Sequence, residues 1–209
     1  MNTVVYVDGF NLYYGCLKGG PHRWLDLGTL FGHLLPGDNV TAIKYFTARV
    51  KGRPGNPRAP QRQQTYLRAL DTVPHLSTHF GHFLKKKTRM PLVNPPPTTA
   101  EVWKTEEKGS DVNLATHLVA DAFRQQYDRA VVVSNDGDLK QPVEFVRVEL
   151  GLPVGVLNPH RRSRSWALSP KTLPVGSFYR PIRQGPLAAS QFPGTMTDAA
   201  GTFSKPSAW

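Results

Sequence analysis

The chain has 209 residues, enough to bury one sizeable core, and length alone favours a single domain over two. Its 26 Lys and Arg against 15 Asp and Glu give a formal charge of +11, a field that concentrates polyanions such as nucleic acid. Anionic lipid would answer the same field, but no apolar run approaches the ~20 residues of a membrane span and no basic amphipathic helix stands out, so no membrane partner is expected.

Short apolar runs alternate with segments of helical period, which predicts an α/β domain with a mostly parallel sheet. The first strand, Thr3 to Val7, follows Met1 so closely that no signal-peptide apolar region fits, and the chain reads as cytoplasmic. Cys16 stands alone, which excludes an intrachain disulfide or a cysteine metal cluster and suits a reducing compartment. A helix is expected over Asp26 to Leu35, a strand over Ala42 to Val50, a helix over Pro60 to Leu70 and a strand over Leu76 to Leu84. Residues 85 to 99, "KKKTRMPLVNPPPTT", read as a basic, proline-stiffened excursion before a strand over Glu101 to Thr105. In the helix expected over Asp111 to Gln126, Leu114, Ala115, Leu118, Val119 and Ala122 share one face, which should pack on the sheet. A strand over Ala130 to Ser134, a helix over Leu139 to Leu150 and a strand over Pro153 to Leu157 complete the domain, set at residues 1–158. From residue 159 to 209 the composition turns to Arg, Ser, Pro and Gly, yet Trp166, Phe178, Tyr179, Phe192, Phe203 and Trp209 remain; a partly ordered arm packed on the domain is expected.

Acids recur at the strand ends. "TVVYVDGFNLYYG" carries one strand to Asp8, "EVWKTEEKGSDVNLATHL" carries another to Asp111 at the mouth of a helix, and "RAVVVSNDGDLKQPVEF" runs a buried Val131-Val132-Val133 strand into Ser134, Asn135, Asp136, Gly137 and Asp138. In an open parallel sheet the crevice lies beyond the carboxyl ends of the strands, so Asp8, Asp111 and Asp136 are expected to converge there. Uncompensated, they would repel and raise at least one pKa. A bound cation removes the difficulty, and an all-oxygen set with Asn11, Ser134 and Asp138 nearby suits Mg²⁺ or Mn²⁺ better than zinc.

Simpler readings stand beside this one. Asp138 fits a variant capping box with Gln141, Asp111 favours a helix dipole, Asp8 serves as a turn residue before Gly9, and Asn11 caps a short helix. His75 and His79 share a strand face that His82 does not, which excludes a three-histidine metal site there. His117 lies on a polar stripe with Asn113 and Asp121, either solvated or at the edge of the acidic site.

The blocks "VVYVDGFNLYYG", "EEKGSDVNLATHLVADAF" and "VVVSNDGDLKQPVEFVR" resemble, in order, the signature blocks of the NYN domain family, a branch of the PIN-like nucleases. The resemblance implies a three-layer α/β/α sandwich and metal-dependent cleavage of RNA. It assigns Asp8, Asn11, Asp111, Asp136 and Asp138 to catalysis, with Asp8, Asp111 and Asp136 on the metal. Where many relatives carry another carboxylate, six residues after Asp111, this chain has His117, with Asp121 a turn later; both are read as supporting, as is Ser134.

A basic rim must offset an acidic crevice if RNA, or single-stranded DNA, is to enter. Candidates are Lys85, Lys86, Lys87 and Arg89, the group Arg49, Lys51, Arg53, Arg58 and Arg62, and Arg161 with Arg162 and Arg164. Phe80, Phe83 and Trp103 are either core or platforms for unpaired bases. Two rivals remain open from the sequence: a catalytically weak module binding RNA or protein, and a phosphatase-type enzyme built on Asp-x-Asp. A homodimer or a protein partner is compatible with either.

Overall fold

The computed structural model describes residues 1–94, 97–160 and 165–209. Its centre is a sheet of seven strands in the order β4-β3-β2-β1-β5-β6-β7. β1 (Asn2–Asp8) and β5 (Arg129–Val133) lie side by side and parallel, with Val7 opposite Val133. β2 (Asn39–Ala48) and β3 (Leu76–Pro91) extend the sheet on one side, β6 (Val154–Asn158) and β7 (Phe178–Pro181) on the other, all parallel. The continuous Val-rich runs of β1 and β5 are buried on both faces, the pattern demanded of central parallel strands. Because the chain leaves β1 in one direction and later returns to its other side at β5, the loops diverge between these two strands and open a crevice there.

Alternation along the strands feeds two apolar layers. Val5, Val7, Ile43 and Tyr45 face α2 (Leu27–Leu34) and α3 (Ala59–Leu70), while Val4, Tyr6, Phe46 and Val132 face α4 (Ser110–Phe123) and α5 (Lys140–Glu144). This is the expected three-layer α/β/α sandwich with a mostly parallel central sheet. The helix predicted over 139–150 is a composite: a 3₁₀ turn over Gly137–Leu139, then α5, then a π-type turn over Phe145–Glu149. The short α1 (Gly9–Leu12) likewise runs into a π-type turn over Tyr13–Leu17. Among the described residues no helix is long and apolar enough to cross a membrane.

The basic segment after Leu84 is not an excursion between strands. β3 runs to Pro91, and β4 (Thr99–Lys108) pairs antiparallel with it from His82–Lys108 to Pro91–Thr99. Beyond Gly81, where pairing with β2 stops, β3 and β4 form a two-stranded ribbon on their own. Alternating residues of "HFLKKKTRMP" explain how so basic a run can be a strand: lysines on either face reach solvent or cross-strand acids, and only one edge needs a partner.

Residues 165–209 also carry structure. β7 joins the sheet edge, α6 (Gln184–Ala189) packs Leu187 into the first apolar layer, and β8 (Thr195–Asp198) and β9 (Gly201–Ser204) form a hairpin. Trp24, fully buried, is the anchor: Phe192, Phe203 and Trp209 all meet its ring edge-on. Arg68 from α3 clamps the hairpin through paired hydrogen bonds to Asp198 at 2.6 and 2.7 Å.

Candidate active site

The loop after β1 must pass tightly against β2. A Cβ on Gly9 would lie 2.6 Å from the Tyr45 ring and 2.8 Å from the Phe46 carbonyl, so the "DG" pair is a packing requirement. Asp8, the last residue of β1, is 5% exposed and caps α1, its Oδ1 accepting the Asn11 N–H at 2.9 Å. Its other oxygen accepts the Ser134 hydroxyl at 3.0 Å. Ser134 Oγ in turn accepts the Asp136 N–H at 3.0 Å, and Asn11 Oδ1 accepts the Asn135 N–H at 2.9 Å. The loops following β1 and β5 are thus stitched together by polar side chains whose bonds leave Asp136 turned toward the crevice. Asp136 Oδ1 also accepts the Asp138 N–H at 3.0 Å, capping the 3₁₀ turn.

A third loop brings Asp111. Gly109 takes φ +96°, a left-handed turn that L side chains resist, and α4 starts directly after it with Asp111 in its first turn. Glu107, at the end of β4, accepts the Ser110 N–H at 3.2 Å and the Ser110 hydroxyl at 2.8 Å.

These loops wall a cleft of about 1000 Å³ whose lining includes Asp8, Asn11, Glu107, Asp111 and Asp136. Lys18, Arg23, Lys51, Arg53, Arg62 and Lys85 line it as well, and Phe10, Tyr45, Tyr66, Phe83 and Trp209 contribute aromatic surface. Burial pushes the Asp8 carboxyl up to about 7; the charges of Asp111 and Asp136 add to that, against the opposing Asn11 and Ser134 hydrogen bonds. Asp111 is raised too, by burial first and then by the charges of Asp136, Glu107 and Asp138.

The structure therefore brings Asp8, Asn11, Asp111 and Asp136 to one cleft, with Ser134 holding two of them from below. Asn11 does not cap the short helix; Asp8 does. Asp138 is exposed and outside the lining, and it acts on the site through its charge on Asp111. His117 and Asp121 do not reach the acidic site. An α-helix climbs about 1.5 Å per residue, so they sit roughly 9 and 15 Å further along α4 than Asp111, over the middle of the sheet. There Asp121 is buried and accepts Lys44 Nζ at 2.6 Å and the Tyr6 hydroxyl at 2.7 Å. His117 contacts Lys44 at 3.4 Å and packs beside His79 at 4.3 Å, and burial followed by the Lys44 charge holds its pKa below the ordinary value.

The basic candidates divide. Lys51, Arg53, Arg62 and Lys85 line the cleft. Arg49 does not: it donates to Gln64 and stacks on Phe80 at 4.5 Å. Lys86, Lys87 and Arg89 lie along the ribbon, beyond the cleft lining, and Arg161, Arg162 and Arg164 fall outside the described residues. Glu107, Lys18 and Arg23 were not singled out from sequence, and Trp209 only as an aromatic of the C-terminal arm. Glu107 had a signal: strand alternation separates it from Glu106, which is neutralised by Lys104 and Lys108 on the other face.

Among the described residues, no three His, Cys, Asp or Glu side chains close on one another tightly enough to hold a metal ion. That differs from the expectation of a three-carboxylate cage on Asp8, Asp111 and Asp136. The donors are all oxygen, which fits a hard cation that keeps most of its waters. Such an ion needs one or two carboxylates, with substrate oxygens taking further positions.

The model of the NYN domain matches residues 2–171. The chain is 33% identical over 238 aligned positions to 6-hydroxy-3-succinoylpyridine 3-monooxygenase HspA of Pseudomonas putida (strain DSM 28022 / S16), covering 100% of this chain and 75% of that protein. A crystal structure of a protein of unknown function from Vibrio parahaemolyticus RIMD 2210633 superposes with a TM-score of 0.52 at 20% identity, over 91% of this chain and 96% of the other, a likeness of fold alone. The match over most of the length, with the signature acids gathered at one cleft, leads to one conclusion: this chain belongs to the NYN domain family.

Proposed function

We propose that the chain is a divalent-metal-dependent endoribonuclease, hydrolysing phosphodiester bonds of RNA to leave 5′-phosphate and 3′-hydroxyl ends. The observation that carries this reading is an acidic floor of Asp8, Asp111 and Asp136 inside a cleft that also presents Lys51, Arg53, Arg62 and Lys85. Acids alone would repel a polyanion; the basic side chains attract it and hold its flanking phosphates. Mg²⁺ or Mn²⁺, when bound, would supply Lewis-acid stabilisation of the phosphoryl oxygens and an activated water at neutral pH. The chain's own part is positioning. Asp136 and Asp111 present carboxylate oxygens to the reacting phosphate's side of the cleft. Asp8, fixed by Asn11 and Ser134, sets the separation of the two loops, and Asn11 locks the loop after β5 through Asn135. Asp138 deepens the negative field at Asp111 from outside the lining. RNA is the proposed partner, with single-stranded DNA a poorer one and the cytoplasm the proposed location. The test is cleavage of pooled cellular RNA with Mn²⁺ and then with the metal chelated.

A second reading comes from the Pseudomonas relative, whose name is that of a 3-monooxygenase of 6-hydroxy-3-succinoylpyridine. The aromatic surface of the cleft, Tyr45, Tyr66 and Trp209 among it, suits a planar heterocycle. Turnover of 6-hydroxy-3-succinoylpyridine with oxygen and a reductant, together with intact RNA in Mn²⁺, would decide for this reading against the nuclease.

A further inference from the structure

The β3–β4 ribbon is a second surface that the cleft does not explain. On the face that continues the cleft wall, Phe83, Lys85, Lys87 and Arg89 of β3 stand opposite Glu107, Thr105, Trp103 and Glu101 of β4. Phe83, Lys85, Thr105 and Glu107 line the cleft, so the face runs without a break from the acids out to Trp103. Trp103 is 60% exposed on β4. Two ammonium groups hold its ring, Lys85 Nζ at 4.4 Å and Lys87 Nζ at 5.5 Å from the centroid. The indole is therefore no part of either apolar layer, and its ring is kept largely in solvent beside two cations.

We propose that this ribbon face is a track for single-stranded nucleic acid, with Trp103 as the platform on which an unpaired base stacks and Lys85 and Lys87 as the contacts to the phosphates beside it. The chemistry fits on both counts: an exposed π-face accepts any base, while paired bases in a duplex have no free face to offer. Charge complementarity decides for a polyanion over a neutral protein surface, because Lys85, Lys87 and Arg89 exceed Glu101 on the outer part of this face. Four residues of strand separate Trp103 from Glu107, roughly 14 Å, so a strand stacked at Trp103 enters the acidic cleft by its adjoining nucleotides. This inference deepens the nuclease reading and rests on it only for what happens at the cleft; binding is a separate observable.

The intact Asp136→Asn protein is titrated with a short labelled oligouridylate, the matching oligodeoxythymidylate and a blunt RNA duplex. Trp103→Ala is expected to weaken oligouridylate binding about ten-fold or more, Trp103→Phe to keep most of it, and Val102→Ala, on the opposite ribbon face, to change nothing. Lys87→Ala is expected to lower the slope of log K against log salt by about 0.7. Intrinsic fluorescence quenched by the oligonucleotide should lose part of that response in Trp103→Phe, the remainder coming from Trp209 in the cleft. Equal affinity of Trp103→Ala and its parent, or duplex bound as tightly as single strand, overturns the track. Trp103-dependent binding by a wild-type protein that cuts nothing overturns the nuclease reading and leaves the track standing; efficient cleavage with no Trp103 dependence does the reverse.

Discussion

Ser134 and Asp8, 126 residues apart in sequence, are joined by a 3.0 Å hydrogen bond from the serine hydroxyl to the carboxylate at the tip of the central strands. The same hydroxyl accepts the Asp136 N–H, so one oxygen sets the spacing between two of the acids in the cleft. Ser134→Ala leaves the Asp136 N–H and a buried oxygen of Asp8 without that partner. The expected cost is about 1–3 kcal/mol in unfolding free energy, with a fall in RNA cleavage larger than the change in RNA affinity. Denaturant unfolding and single-turnover cleavage measure the two.

Asp8 predicts a pH signature. Its folded value of about 7 lies above the ordinary 3.8, so the folded chain holds this proton more tightly than the unfolded chain. Below pH 4 both states are protonated and nothing is lost. As pH rises from about 4 to about 7 the unfolded chain ionises first and stability falls; above that window the loss is complete. A divalent cation stabilises the ionised form, so Mn²⁺ should raise Tm clearly at pH 8 and little at pH 5. Asp8→Asn should flatten the metal-free decline. A Tm at pH 8 indifferent to Mn²⁺ would count against an ion at this carboxylate.

Two acids on α4 should separate stability from activity. Asp121→Ala strands a largely buried Lys44, 19% exposed, and the Tyr6 hydroxyl, and is expected to cost about 3 kcal/mol. Asp111→Asn relieves repulsion from Asp136 and Glu107, so the fold should be unharmed or firmer while cleavage is lost. Thermal melts and cleavage assays on the pair would show opposite patterns; a destabilised Asp111→Asn would contradict the assignment.

Glu107 is expected to matter through both α4 and the cleft. Glu107→Gln keeps an acceptor for Ser110 but removes a negative charge from the lining. Melting should change little, and the Mn²⁺ concentration needed for half-maximal cleavage should rise.

Much of this architecture was legible because it rests on local rules. Val131 to Val133 has the composition of a doubly buried strand, and the signature blocks place their acids at loop mouths on the same side of the sheet. What escaped depended on partners distant in sequence. His117 and Asp121 share a helix with Asp111, yet helical rise carries them to Lys44 and Tyr6, an ion pair no single segment announces. The ribbon looked like a loop because its prolines and lysines oppose an isolated strand, and only the antiparallel partner resolves them. Trp209 reaches the cleft because Trp24 and Tyr66 hold it there, a contact with no local precursor.

The most direct measurement compares wild type with Asp136→Asn on pooled cellular RNA in Mn²⁺, both shown to be folded by melting. Cleavage to 5′-phosphate fragments by the wild type, abolished by chelation and nearly absent in Asp136→Asn, is the predicted result. Equal cleavage by both proteins, or none by either, would contradict the nuclease account.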